Sequence, residues 1–90
     1  MDEALEGFRY YLKVEKNRAD HTVEAYIRDC QRFSEWLVHK DPASVSRQDI
    51  VDYLAHLDSQ GLGKRSITRA RTSVRQLFRF LVREKLIEDD

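Results

Sequence analysis

KRSITRARTSVRQLFRFLVR, residues Lys64–Arg83, is the stretch around which this chain is organised. Seven of its residues are basic (Lys64, Arg65, Arg69, Arg71, Arg75, Arg79 and Arg83) and none is acidic. The whole chain is neutral, with 16 basic and 16 acidic residues, so the other seventy residues carry a net charge of −7. The overall balance therefore hides a strong segregation of charge. Ile67, Ala70, Val74, Leu77, Phe78 and Leu81 recur at three- and four-residue steps, the period of an amphipathic helix with one apolar face. At about 100° per residue, Arg65, Arg69, Thr72, Gln76, Arg79 and Arg83 fall on the opposite side.

A cationic ridge interleaved with Thr and Gln suits contact with phosphates and base edges in a DNA major groove. The ordinary role of a charge run is a solvated helix face. Two features weigh against that here: no acid stands four residues from any of these arginines within the stretch, and the remainder of the chain is acidic.

Ninety residues allow one domain with one modest core. Three glycines, one proline and 36% charged residues fit a helical domain better than a disordered one. The single cysteine, Cys30, excludes an internal disulfide, and without a second cysteine no zinc site is expected. Cys30 falls on an apolar stripe and reads as a small buried hydrophobe. No apolar run approaches the length of a membrane span, and no charged-then-apolar leader opens the chain. The expectation is a cytoplasmic protein with no membrane partner, no metal and no cofactor.

Outward from the basic stretch, the pattern predicts an all-α fold with helices over about 2–16, 21–38, 46–60 and 64–84. In the first, Leu5, Phe8 and Leu12 form the stripe, Tyr11 is marginal, and Gly7 marks a position for close helix contact. In the second, Asp20 is the expected N-cap and Tyr26, Cys30, Phe33 and Leu37 form the stripe. His21, Glu24, Arg28, Gln31, Arg32 and Glu35 face away. Pro42 ends that helix region. Ser46 and Asp49 open the third as a capping box, Ile50, Tyr53, Leu54 and Leu57 are its stripe, and Gly61 closes it. Gly63 caps the fourth, and Leu86 and Ile87 dock back on the core while the acidic tail frays. His21-Thr22 and Arg65-Ser66 place a hydroxyl in the first turn of helices two and four, where backbone N–H groups can bind phosphate.

Catalytic chemistry has no footing in these residues. There is no Gly-rich phosphate loop, no nucleophile elbow and no metal-spaced cluster. The four tyrosines (Tyr10, Tyr11, Tyr26, Tyr53) lie on or beside core stripes, so packing is the expected role of each.

Two stretches carry a likeness to a known family. His21-Thr22-Val23-Glu24-Ala25-Tyr26-Ile27-Arg28-Asp29, followed by Phe33 and Trp36-Leu37, resembles the N-T-x-x-A-Y-x-x-D-L-x-x-F signature of the tyrosine recombinases. Ser66-Ile67-Thr68-Arg69, continuing through Thr72-Ser73-Val74-Arg75-Gln76-Leu77-Phe78-Arg79-Phe80-Leu81, resembles that family's S-I-x-R-x-L-S-A-L-R-x-F-Y-x-F-L. Phe8 to Leu12 and Leu86 to Asp90 also fit, so the likeness covers essentially the whole chain, in order. The chain resembles the N-terminal core-binding domain of a phage-integrase or Xer-type recombinase.

That resemblance implies a SAM-like four-helix orthogonal bundle of two crossed helical hairpins, with helices two and four facing duplex DNA. It implies a parent protein whose separate catalytic domain, absent here, closes the clamp and supplies the tyrosine nucleophile for DNA integration or recombination. None of the tyrosines here matches the nucleophile motif, so this chain inherits no catalytic residue. The expected DNA-binding residues are Lys64, Arg65, Arg69, Arg75 and Arg79 on phosphates, Ser66 and Thr72 near groove or backbone, and His21, Thr22 and Arg28 from helix two. Expected partners are double-stranded DNA and, at full length, other recombinase protomers in a tetrameric synaptic complex; the isolated domain is expected to be monomeric. His21 stands where the family has Asn, and an imidazole lacks the bidentate pairing to adenine that an amide makes. Ala19 and Gly63 stand where the family has helix-opening serines, and Arg71 replaces a core leucine, widening the basic ridge. An alternative from another class is a helical protein–protein module that binds an acidic partner through the same ridge. A helix-turn-helix regulator fits less well, because the basic helix is long for a recognition helix and its cations run its whole length.

Overall fold

Three breaks, at residues 16–19, 37–46 and 60–63, separate the helices. The computed structural model describes residues 2–38 and 40–88, so His39 and the acidic end at 89–90 lie outside the described residues. Among the described residues there are four α-helices: α1 (Asp2–Tyr10), α2 (Asp20–Trp36), α3 (Arg47–Ser59) and α4 (Lys64–Arg83). No strand occurs among the described residues. The fold is all-α, as the periodicity predicts.

The ends of these helices follow local chemistry. α1 continues into a wider π-helical turn, Tyr11–Glu15, closed by the Lys16 N–H donating to the Tyr11 carbonyl at 3.0 Å. Asn17, at φ +52°, then turns the chain. The expected Asp20 cap is not formed. Ala19 is the N-cap and gives no side-chain bond, while Asp20 is the first helical residue and lies 3.6 Å from Lys13. Its charge suits the helix N-terminus without capping it. α2 stops at Trp36, before the expected 38, because Val38 takes φ +55°. At the start of α3 the Ser46 hydroxyl accepts from the Asp49 N–H at 3.1 Å, and the Asp49 carboxylate accepts from the Ser46 N–H at 2.9 Å. Gly61, at φ +86°, ends α3: its N–H donates to Asp58 and the Leu62 N–H to Leu57, a pairing that needs a left-handed residue at this point.

Packing joins α1 to α2 and α3 to α4, and α2 crosses α4 to unite the two pairs. One core cluster gathers Leu5, Phe8 and Leu12 from α1 and its extension, Val23, Ile27 and Cys30 from α2, and Leu77, Phe80 and Leu81 from α4. A second gathers Phe33, Tyr53, Leu57, Ala70 and Val74. The half-buried Phe78 packs against both. In the first cluster the first half of α2 meets the last half of α4, and in the second Phe33 meets Ala70 and Val74. Gly7 lies under the Phe80 ring, where an added Cβ would stand 3.1 Å from Cζ, which is the close approach its position suggested. Ile87 packs on the first cluster, but Leu86 does not dock: the left-handed turn at Lys85 leaves it 58% exposed. No described helix is long and apolar enough to cross a membrane.

Candidate functional site

α4 buries Ala70, Ser73, Val74, Leu77, Phe80 and Leu81 and turns its cations outward. Lys64, Arg65, Arg71, Arg75 and Arg79 are all exposed and, among the described residues, enter no ion pair. At 100° per residue these five occupy an arc of about 120°, and Lys64 to Arg79 spans about 22 Å along the axis. Thr68 and Thr72 fall inside the same arc. Several acids of the other helices are engaged elsewhere: Glu24 with Arg9, Asp20 with Lys13, Asp49 with Lys40.

The other two arginines of the ridge are paired, and the partners come from other helices. The Arg69 Nε donates to Asp29 Oδ2 at 2.8 Å and its Nη2 to Oδ1 at 3.0 Å, a two-pronged pairing. Asp29 is buried, and the Ser73 hydroxyl donates to the same carboxylate at 2.9 Å. The hydroxyl can donate instead to the Arg69 carbonyl at 2.9 Å. A carboxylate removed from water is tolerable only with such partners. Next to it the buried Cys30 thiol donates to the Ser73 carbonyl at 3.5 Å, and burial pushes that thiol well above its ordinary range. The Asp29 hydrogen bond makes the Arg69 guanidinium harder still to deprotonate. Arg83, which the helical period sets on the same ridge, donates to Glu15 Oε1 at 2.6 Å and lies 4.9 Å over the Tyr11 ring. Sequence spacing excluded acids at four residues within α4, but tertiary packing supplies them from Asp29 and Glu15.

An open groove of about 370 Å³ runs beside α4, lined by Tyr26, Lys64, Arg65, Thr68, Arg69 and Thr72. It brings together four of the expected site residues: Lys64, Arg65, Arg69 and Thr72. Arg75 and Arg79 extend the same exposed arc outside it. Ser66 is half-buried and turned toward the packed side of the helix. His21 and Arg28 are exposed on α2 and Thr22 is half-buried, but none lines the groove.

Three contributors were missed in the sequence. Thr68 was legible, since its helical angle falls between those of Arg75 and Arg79. Tyr26 was assigned to the core stripe, yet it is only half-buried and its remaining surface lines the groove. The true stripe of α2 runs through Val23, Ile27, Cys30 and Phe33, rotated by about a tenth of a turn from the one expected. Asp29 gave no local signal, because its burial depends on where α4 crosses.

Fold and site together define a class: a small all-α domain with one cationic helix face left unpaired. Residues 5–85 match the family model described as phage integrase, N-terminal SAM-like domain, and the chain belongs to this family. It is similar to Tyrosine recombinase XerD of Halalkalibacterium halodurans, 32% identical over 90 residues that cover 96% of this chain and 30% of the relative. XerD of Bradyrhizobium diazoefficiens is 38% identical over 92 residues, covering 99% of this chain and 29% of that protein. Tyrosine recombinase XerC of Pelotomaculum thermopropionicum is 33% identical over 92 residues, covering 93% and 30% respectively. The chain thus spans about 30% of the length of the curated relatives it matches. No solved structure is a significant match.

Proposed function

We propose that this chain is the core-binding domain of a longer tyrosine recombinase and that it docks duplex DNA along α4, with α2 contributing His21, Thr22 and Arg28. The observation that carries the reading is the set of five cations, Lys64, Arg65, Arg71, Arg75 and Arg79, that share one helix arc and pair with no described acid. A row of unpaired cations repels itself, and a polyanion lying along it offsets that repulsion. The hydroxyls of Thr68 and Thr72 stand among them as neutral donors for backbone or base edges. Cleavage chemistry belongs to the part of the parent protein that the relatives have beyond the matched third. At full length the domain would close one side of a clamp and meet further protomers on paired duplexes.

Titration of a labelled duplex at rising salt tests this directly. Five phosphates neutralised give a log–log slope of about −4.5, and a lone domain should show little sequence preference. A flat salt response refutes the reading. Chemical-shift changes confined to α1 and the acidic α3, with α4 silent, would point to a protein partner instead.

A further inference from the structure

We infer that Asp29 is a positioning residue for DNA binding: it holds Arg69 so that the free end of its guanidinium presents two parallel N–H donors to a single backbone phosphate in the groove between α4 and Tyr26. This rests on the DNA-docking reading above and names how one subsite of it is built. The geometry is specific. Asp29 takes the Nε–Nη2 edge of Arg69, at 2.8 and 3.0 Å, which leaves the Nη1–Nη2 edge without a partner. That second edge has the same fork spacing and matches a phosphate as well as it matches a carboxylate. The Arg69 side chain is 44% exposed while that of Asp29 is 5% exposed, so the pair is anchored at its inner end and open at its outer one. Ser73 fixes the carboxylate from the other side at 2.9 Å.

The surroundings fit one phosphate. Lys64 and Arg65 bring two unpaired cations to the groove, and Thr68, Thr72 and Tyr26 bring hydroxyls. The Arg69–Asp29 pair has no net charge, so Arg69 adds little to long-range attraction. Its contribution is orientation: a donor pair already in place when the phosphate arrives, with no rotamer freedom left to lose. Charge and positioning therefore make different forecasts for the same substitutions.

The test measures duplex affinity by fluorescence anisotropy across a salt series for the wild-type chain, Arg69→Lys and Asp29→Asn, with Trp36 fluorescence confirming that each is folded. Arg69→Lys keeps the charge but has no fork. Positioning forecasts a Kd weaker by about tenfold with an unchanged salt slope, the loss of one charge-assisted bond. Asp29→Asn adds one net positive charge beside the groove. Positioning forecasts weaker binding there too, because the neutral amide grips the guanidinium less firmly. Simple charge counting forecasts the reverse: tighter binding and a slope steeper by about 0.9. Arg69→Lys binding like wild type, or Asp29→Asn binding more tightly, overturns the inference. If Asp29→Asn fails to fold, Arg69→Lys decides alone. A wild-type chain that binds no duplex refutes the docking reading itself, a result visible before any variant is compared.

Discussion

Removing the Arg69 side chain should expose how much of this fold rests on one buried carboxylate. In Arg69→Ala, Asp29 keeps its burial and the single Ser73 hydroxyl bond but loses both guanidinium bonds. Breaking a fully buried ion pair from one side costs about 3–5 kcal/mol. Arg69 is 44% exposed, so water can enter where its head was, and the cost falls to about 2–3 kcal/mol. A chain of 90 residues has about 5–13 kcal/mol in total, so this is a large fraction of it. The expected fall in Tm is about 10–20 °C. Urea unfolding followed by the single tryptophan, Trp36, gives the free energy, since that residue packs on the second core cluster. The double variant Arg69→Ala/Asp29→Ala should be more stable than the two single losses added together, by about 1–2 kcal/mol, because the stranded charge is gone. A single-variant loss under about 1 kcal/mol with additive double-variant behaviour would refute the claim that Asp29 depends on Arg69.

Replacing Lys64, Arg65, Arg71, Arg75 or Arg79 singly by Gln should leave stability within about 0.5 kcal/mol, as none has an acidic partner, while lowering the magnitude of the DNA salt slope by about 1 each. Gly7→Leu should cost about 1–3 kcal/mol by urea unfolding, because Phe80 is itself held against Phe8 and Tyr11 and cannot give way to the new side chain. Ser46→Ala should cost about 1 kcal/mol by removing the capping hydroxyl of α3. In the same box, the Ser46 N–H, then Lys40, holds the Asp49 carboxyl below its ordinary value of 3.8. Its stabilising effect is therefore present above that value and is lost as pH falls through the lowered one, so the wild type and Asp49→Asn should converge in strong acid. Cys30 has no exposed surface, so a thiol reagent at pH 8 should label it only as urea unfolds the chain.

Helix number, the α3 capping box and the Gly61 stop were all legible in the sequence, because each depends on residues within one or two turns of each other. The small rotation of the α2 stripe has a physical origin. Tyr26, Cys30, Phe33 and Leu37 make as good an apolar line as Val23, Ile27, Cys30 and Phe33, and only the direction from which α1 and α4 approach selects between them. The same reason hid the partners of Arg69 and Arg83. Within α4 itself there is no acid to pair with, whereas Asp29 and Glu15 arrive from forty and sixty-eight residues away.

What the sequence determined by itself was therefore the segregation of charge: seven cations on one amphipathic helix in a chain otherwise acidic. Which of those cations remain available was decided by the crossing of α2 over α4. That crossing places a carboxylate where water cannot reach it, and a buried charge must find its counter-charge from whatever side chain the packing puts within reach.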